Sequence, residues 1–218
     1  MAIMSALRAI TKQNAAKVHH RVSNRIGIFA GSFDPIHEGH IETSLSCVRE
    51  LGLEQLFFMV EPNPWGDKSP VGISYRRKMV EIAIADYPLL GQIELEDQRF
   101  SIDKTLKQLE NKFPEADLYF IFGADVFVKM NKVSWPELYK LLKHYIVVIE
   151  RNEITDRHIT DHSKTLGIVT AILPSEHLQH SSTNVRMQPR KSILWVPKKI
   201  ADYIELNNLY EFSDSDSM

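Results

Sequence analysis

The run Ile26-Gly-Ile-Phe-Ala-Gly-Ser-Phe-Asp-Pro-Ile-His-Glu-Gly-His40 constrains this chain more than any other stretch. Ile26 to Ala30 is an apolar segment of the length of a buried strand. Gly31-Ser32 interrupts it, and Asp34-Pro35 reads as a turn. Beyond the turn, Ile41, Leu45, Val48 and Leu51 recur at helical spacing. The segment therefore predicts a strand, a tight glycine-containing turn and a helix. Such a unit aims backbone N–H groups and the positive end of a helix dipole at the region above the strand end, where phosphate is the natural guest. His37 and His40 fall in the first turn of that helix, on one face and within reach of the same phosphate oxygens. A lone His-x-x-His is more often chance or surface pairing, and the zinc-protease pattern needs histidines four apart. The glycine turn before the histidines favours phosphate.

The rest of the composition narrows the class. With 218 residues, 44% of them apolar, the chain can bury the core of one α/β domain. A net charge of −2 and a pI near 6.5 argue against nucleic acid or an anionic membrane as the main ligand. Cys47 is the only cysteine, which excludes an internal disulfide and a cysteine-rich metal site. It reads as a packed or partly exposed free thiol in a reducing cytoplasm. The longest apolar runs, near Leu118–Phe122 and Tyr145–Ile149, are too short to span a bilayer. Residues 1–25 carry Arg8, Lys12, Lys17, Arg21 and Arg25 but no Asp or Glu, and form a basic extension that reads as a transit peptide, a solvated leader or a misassigned start. The domain is expected over 26–212, followed by an acidic, serine-rich disordered tail at 213–218. A homo-oligomer is compatible with this composition but not specified by it.

Strand and helix signals alternate along the domain. Gln55–Val60 reads as a second buried strand and leads into the proline-rich loop Glu61–Pro70, at a strand end where open α/β sheets carry ligand contacts. Ser74 is expected to cap a helix over 75–86 with Met79, Ile82 and Ala83 inward. A strand near Ile93–Leu95 follows, and then a helix capped by Ser101 with Ile102, Leu106 and Leu109 inward. A strand from Asp117 ends at Gly123, and Asp125 reads as the N-cap of the next helix. Trp135 heads a further helix running to Leu142, as a core or stacking aromatic. Tyr145–Ile149 is a strand. His158 and His162 lie four apart with no third ligand offered nearby, so a solvated loop or surface helix is favoured there over a metal site. Gly167–Leu173 returns to strand character. Ser181 or Ser182 then caps a helix beginning at Thr183, with Arg186 one turn in: hydroxyls, N–H groups and a guanidinium form a second phosphate cradle. A last helix spans Val196–Ile204, with Pro197 in its first turn. The pattern predicts an α/β, doubly wound, mostly parallel sheet in a single domain. The chain has neither a Walker loop nor a Gly-x-Gly-x-x-Gly fingerprint, which argues against a P-loop phosphotransferase and a dinucleotide-using dehydrogenase.

Gly31-Ser-Phe-Asp-Pro-Ile-His-Glu-Gly-His40 resembles the (H/T)xGH signature of the Rossmann-like nucleotidyltransferases that transfer AMP or CMP from a nucleoside triphosphate. The bacterial nicotinate-nucleotide adenylyltransferase branch is the most similar. His180-Ser-Ser-Thr-Asn-Val-Arg186 resembles that family's Ile-Ser-Ser-Thr-x-Ile-Arg motif, with His180 at the first place. Three weaker likenesses accompany these. Asn63-Pro64 and Lys68 match the ends of Asn-Pro-Pro-His-Lys, although Trp65-Gly66-Asp67 replaces its middle. The segment from Ser101 to Leu106 is similar to Ser-Tyr-Thr-x-x-Thr-Leu, and Gly123-Ala-Asp125 to Gly-x-Asp. Arg76 matches a family arginine and reads equally well as a surface charge. The resemblance spans roughly 26–210.

It implies transfer of AMP from ATP to nicotinate mononucleotide, with release of pyrophosphate, in NAD biosynthesis. His37 and His40 would be catalytic, on the ATP phosphates, with backbone contacts from Gly31, Ser32 and Phe33. Gly123 and Asp125 would line the nucleotide pocket, and Ser182, Thr183 and Arg186 would hold the β- and γ-phosphates. Lys68, Thr105, Asp125 and Trp135 would meet the acceptor. Mg²⁺ would arrive with ATP and take few or no protein ligands. The altered 65–67 loop leaves nicotinamide mononucleotide as a rival acceptor. Phosphopantetheine fits less well, because that branch usually has Thr where His37 stands. A non-catalytic nucleotide-binding regulator is the rival of another class.

Overall fold

Strands that are apolar on both faces are stable only between two layers of helices, and the sequence has several. The computed structural model describes residues 24–64, 70–94, 100–131, 135, 137–150, 154–174, 181–187 and 193–210. Its strands are β1 (Arg25–Gly31), β2 (Gln55–Val60), β3 (Leu90–Gln92), β4 (Asp117–Gly123), β5 (Tyr145–Ile149) and β6 (Thr170–Leu173). They pair in parallel throughout, in the order β3-β2-β1-β4-β5-β6. Helices α1 (Glu38–Leu51), α2 (Ile73–Ile84), α3 (Ile102–Lys112), α4 (Ala124–Phe127), α5 (Leu138–Leu141), α6 (Asp156–Leu166), α7 (Ser182–Met187) and α8 (Lys198–Leu206) connect and cover them.

Alternation along the strands sorts the core into two layers. Phe29, Ile121, Val147 and Ile149 pack with Ile41, Cys47, Met79, Ile200 and Ile204. Ile28, Phe120, Phe122 and Val148 pack with Leu106, Phe127, Leu138 and Ile159 on the other face. Cys47 is completely buried, and that burial pushes its thiol up to about 12, so it is an inert packing group. The strand order reverses between β1 and β4, whose carboxyl ends are Gly31 and Gly123. A crevice outside the strand ends at such a switch point is where doubly wound sheets bind ligands.

Several boundaries move from their expected places. Helix α2 starts at Ile73 with Gly72 as N-cap, because the Gly72 carbonyl already accepts from the N–H groups of Tyr75 and Arg76, and Ser74 lies inside the first turn. Strand β3 pairs Leu90–Gln92 with Leu56–Phe58, earlier than expected; the Ile93 N–H still reaches Phe58 O at 3.0 Å. Helix α5 is only Leu138–Leu141, since Glu137 takes a left-handed φ of 63° and leaves Trp135 ahead of the helix. Strand β6 begins at Thr170, and Pro197 is the N-cap of α8 rather than inside its first turn. Ser101 caps α3 as expected, its Oγ accepting from the Lys104 N–H at 3.4 Å.

His158 and His162 lie on α6, and each has its own neighbour. His158 Nδ1 accepts from the Thr155 N–H at 3.3 Å, and His162 Nε2 lies 3.0 Å from Met130 O. Among the described residues no helix is long and apolar enough to cross a membrane. The basic extension up to Ser23, Trp65-Gly66-Asp67, Lys68, His180 and the 213–218 tail lie outside the described residues.

Candidate active site

The site begins where β1 runs out. Phe33 follows Gly31 and Ser32 at a φ of 46°, left-handed and only 2% exposed, and the Asp34-Pro35 peptide is cis. A Cβ on Gly31 would sit 3.1 Å from Phe33 Cζ and 3.3 Å from its Cε2. Because Phe33 is buried against Phe29 and Phe58, it has little room to yield. Gly31→Ala should cost about 1–3 kcal/mol through overpacking, read as a lower urea midpoint at unchanged m value. An unchanged midpoint would show that the ring moves aside freely.

His37 is the N-cap of α1, with extended backbone, and His40 is its third helical residue. Their rings stack 3.7 Å apart, so the two histidines do share one face. The His37 N–H donates to His40 Nδ1 at 3.3 Å. A neutral imidazole whose Nδ1 accepts carries its proton on Nε2, which makes His40 Nε2–H a donor. Phe29 and Phe33 approach the His40 ring at 6.0 and 5.2 Å, while Ser44 Oγ donates to His40 O at 2.8 Å. The ring is thus boxed by aromatic edges and its backbone is pinned.

The Ser181–Arg186 segment lands directly against the turn after β1. Ser182 Oγ donates to Pro35 O at 2.9 Å across 147 residues of sequence. Arg186 Nη1 donates to Asp34 O at 2.6 Å and lies 3.5 Å from Asp34 Oδ2, while Nη2 is 3.2 Å from Thr183 Oγ1. The cap is Ser181, whose Oγ accepts from the Asn184 N–H at 3.1 Å; Ser182 is free of that task because α7 starts one residue earlier than expected.

On the far side of the switch point, Gly123 is the N-cap of α4, and Asp125 is its second residue rather than its cap. Asp125 Oδ1 is buried and has no hydrogen-bond partner among the described residues. Trp135 packs against Phe100 and Phe122, with ring centroids 6.0 and 6.2 Å away. Thr105 is fully buried, and its Oγ1 accepts from the Ser101 N–H at 2.9 Å, so its hydroxyl serves the start of α3.

Three residues that the sequence leaves unassigned organise this site. Arg76, which reads equally well as a surface charge, is 1% exposed. Its guanidinium donates to Val71 O, Ser32 O, Glu61 O and Pro62 O at 2.7–2.9 Å, stitching the turn after β1 to the loop after β2. Burial lowers its pKa from the ordinary value, and nearby Asp34 opposes that shift. A signal did exist: Arg76 stands three and four residues before Met79 and Val80, on the buried stripe of α2. Asp34 is only 2% exposed, and its Oδ1 accepts from Tyr210 OH at 2.7 Å and from the Val71 N–H at 3.3 Å. Nothing local in the sequence marks either Asp34 or Tyr210 for that contact.

Known proteins resemble this chain in sequence and in fold. A family model described as cytidylyltransferase-like matches residues 28–188. A protein of Clostridium perfringens named "probable nicotinate-nucleotide adenylyltransferase" is 32% identical over 203 residues, covering 85% of this chain and 98% of that protein. A protein of the same name in Thermus thermophilus is 30% identical over 192 residues, covering 85% and 99%. Among solved structures, Plasmodium falciparum nicotinic acid mononucleotide adenylyltransferase complexed with NaAD superposes with a TM-score of 0.72 at 22% identity, covering 87% of this chain and 98% of that one. The same enzyme complexed with APC gives 0.69. The chain belongs to the cytidylyltransferase-like family, in its nicotinate-nucleotide adenylyltransferase branch.

Proposed function

We propose that the protein transfers AMP from ATP to nicotinate mononucleotide. A phosphate oxygen of the mononucleotide attacks the α-phosphorus; the bond from that phosphorus to the β-phosphate oxygen breaks, and pyrophosphate leaves with the electron pair. The observation that carries this reading is the seating of Ser182 on Pro35 and of Arg186 on Asp34, which joins two distant phosphate motifs at one strand end.

Phosphoryl-type transfer needs positioning and charge neutralisation more than a covalent intermediate. His40 Nε2–H would donate to the α-phosphate, where charge shifts most, with His37 beside it and the backbone of Gly31, Ser32 and Phe33 along the triphosphate. Thr183 and Arg186 would hold the β- and γ-phosphates with their side chains, and Ser182, whose hydroxyl proton goes to Pro35 O, with its backbone N–H. The buried Asp125 Oδ1 supports a contact with a hydroxyl of a bound nucleotide, next to Gly123. Trp135 offers a flat face for the pyridine ring, and Lys68 a charge for the acceptor. Support for Thr105 is the least direct, because its hydroxyl already accepts from the N–H of the cap residue Ser101.

A divalent cation, Mg²⁺ in this reading, would neutralise phosphate charge. It would be carried on the nucleotide's own phosphate oxygens and take few or no protein ligands. A cytoplasmic setting belongs to the same reading and draws support from a chain with a single, buried cysteine.

Pyrophosphate release from Mg-ATP, with nicotinate mononucleotide, nicotinamide mononucleotide and 4′-phosphopantetheine offered separately, tests the proposal. Turnover should favour the first. Preference for nicotinamide mononucleotide would assign the substituted Trp65-Gly66-Asp67 loop a different acceptor. ATP binding without release on any of the three would identify a regulator.

A further inference from the structure

The segment after α8 reaches back to the turn that follows β1. After α8 buries Ile200 and Ile204, the Leu209 N–H bonds Ile204 O at 3.0 Å, and Leu209 is buried. Tyr210 then turns at a φ of 59° and places its hydroxyl 2.7 Å from Asp34 Oδ1. Burial, followed by the charge of Asp34, pushes the Tyr210 phenol far above its ordinary pKa, so it stays a hydrogen-bond donor.

Asp34 therefore divides its carboxylate. Oδ1 serves Tyr210 and Val71, while Oδ2 lies 3.5 Å from Arg186 Nη1, too long for a tight ion pair. Arg186 is instead anchored through the main-chain oxygen of Asp34 and keeps 27% of its side chain exposed. Without the Tyr210 hydroxyl, only the longer 3.3 Å contact from Val71 would hold Oδ1, and the carboxylate could rotate to take Arg186 in a bidentate grip and withdraw it from a phosphate.

We infer that Tyr210 is a positioning residue for triphosphate binding, which acts by holding Asp34 away from a full ion pair with Arg186. The inference rests on the reading of Arg186 as a phosphate ligand. Its expected signature is selective: Tyr210→Phe raises the KM and Kd for ATP about tenfold, equivalent to about 1.4 kcal/mol. The KM for nicotinate mononucleotide and the kcat stay within about twofold, a change worth under about 0.5 kcal/mol.

The test is a double-mutant cycle on the full chain, with Tyr210→Phe, Arg186→Met and both together. ATP and inorganic pyrophosphate affinities are measured by calorimetry, alongside steady-state kinetics. Removing Arg186 leaves Tyr210 nothing to act through, so adding Tyr210→Phe to Arg186→Met should change ATP affinity by less than about twofold, a clear departure from additivity. Additive effects, equal losses for both substrates, or a Tyr210→Phe protein that does not fold would overturn the inference and leave the hydroxyl a structural tie. Should the wild type bind ATP but turn over no mononucleotide, the proposed reaction falls. The cycle on ATP and pyrophosphate affinity would still decide the role of Tyr210.

Discussion

Replacing His40 by alanine should lower kcat by about 10²–10³-fold, the scale for removing one preorganised donor from developing charge, while the ATP dissociation constant changes far less. The reasoning is geometric. His40 Nδ1 is occupied by the His37 N–H, so the ring presents Nε2–H, and its aromatic neighbours keep it from turning away. A donor fixed before the reaction needs no reorganisation when the α-phosphorus becomes crowded. The substitution also removes an acceptor from the start of α1, a loss comparable to that of a helix cap at about 1 kcal/mol. Rates should accordingly be compared at a temperature where both proteins are folded, checked by circular dichroism. Single-turnover chemistry that proceeds at the wild-type rate would remove His40 from the mechanism.

The second large effect concerns stability. Arg76→Met should destabilise the protein by about 3–5 kcal/mol, because buried carbonyls left without a donor cost about 1–3 kcal/mol each. Four carbonyls lose their common donor at once, and three of them, Ser32, Glu61 and Pro62, belong to the two loops that frame the strand-end crevice. Methionine matches much of the arginine's length, so the loss isolates the guanidinium rather than the packing. Arg76→Lys should recover only a small part, because one ammonium cannot reproduce the guanidinium's fixed fork across carbonyls on three sides. Urea denaturation at constant m value measures both. A midpoint for Arg76→Met equal to that of the wild type would mean that water satisfies these carbonyls as well as the arginine does.

The two predictions differ in how visible their residues were beforehand. His40 was legible because its signal is local: a strand, a glycine turn and a helix start occupy fifteen consecutive residues, and the histidine's place in that unit follows from helical periodicity. Ser101 and the apolar face of α3 were legible for the same reason. Arg76 was half legible, since it lies on the inward stripe of α2, but charge at such a position normally argues for exposure. Only four converging carbonyls, three of them from the two loops that frame the crevice, make its burial tolerable, and no short window along the chain contains all of them. The helix boundaries that moved, at Gly72, Glu137 and Ser182, were decided by neighbouring backbone geometry that local propensity does not encode.

By itself, then, the sequence determined the α/β class and marked the two motifs, Gly31–His40 and Ser181–Arg186, because each is a short-range pattern with its own backbone consequence. The tertiary structure alone decided that the motifs meet, with Ser182 on Pro35 and Arg186 on Asp34, and that Tyr210, beyond α8, bonds the same Asp34. The physical reason is the sheet. Placing β1 beside β4, with the chain returning over the same strand ends, brings together residues up to 176 positions apart, and hydrogen bonds across that distance leave no trace in local periodicity.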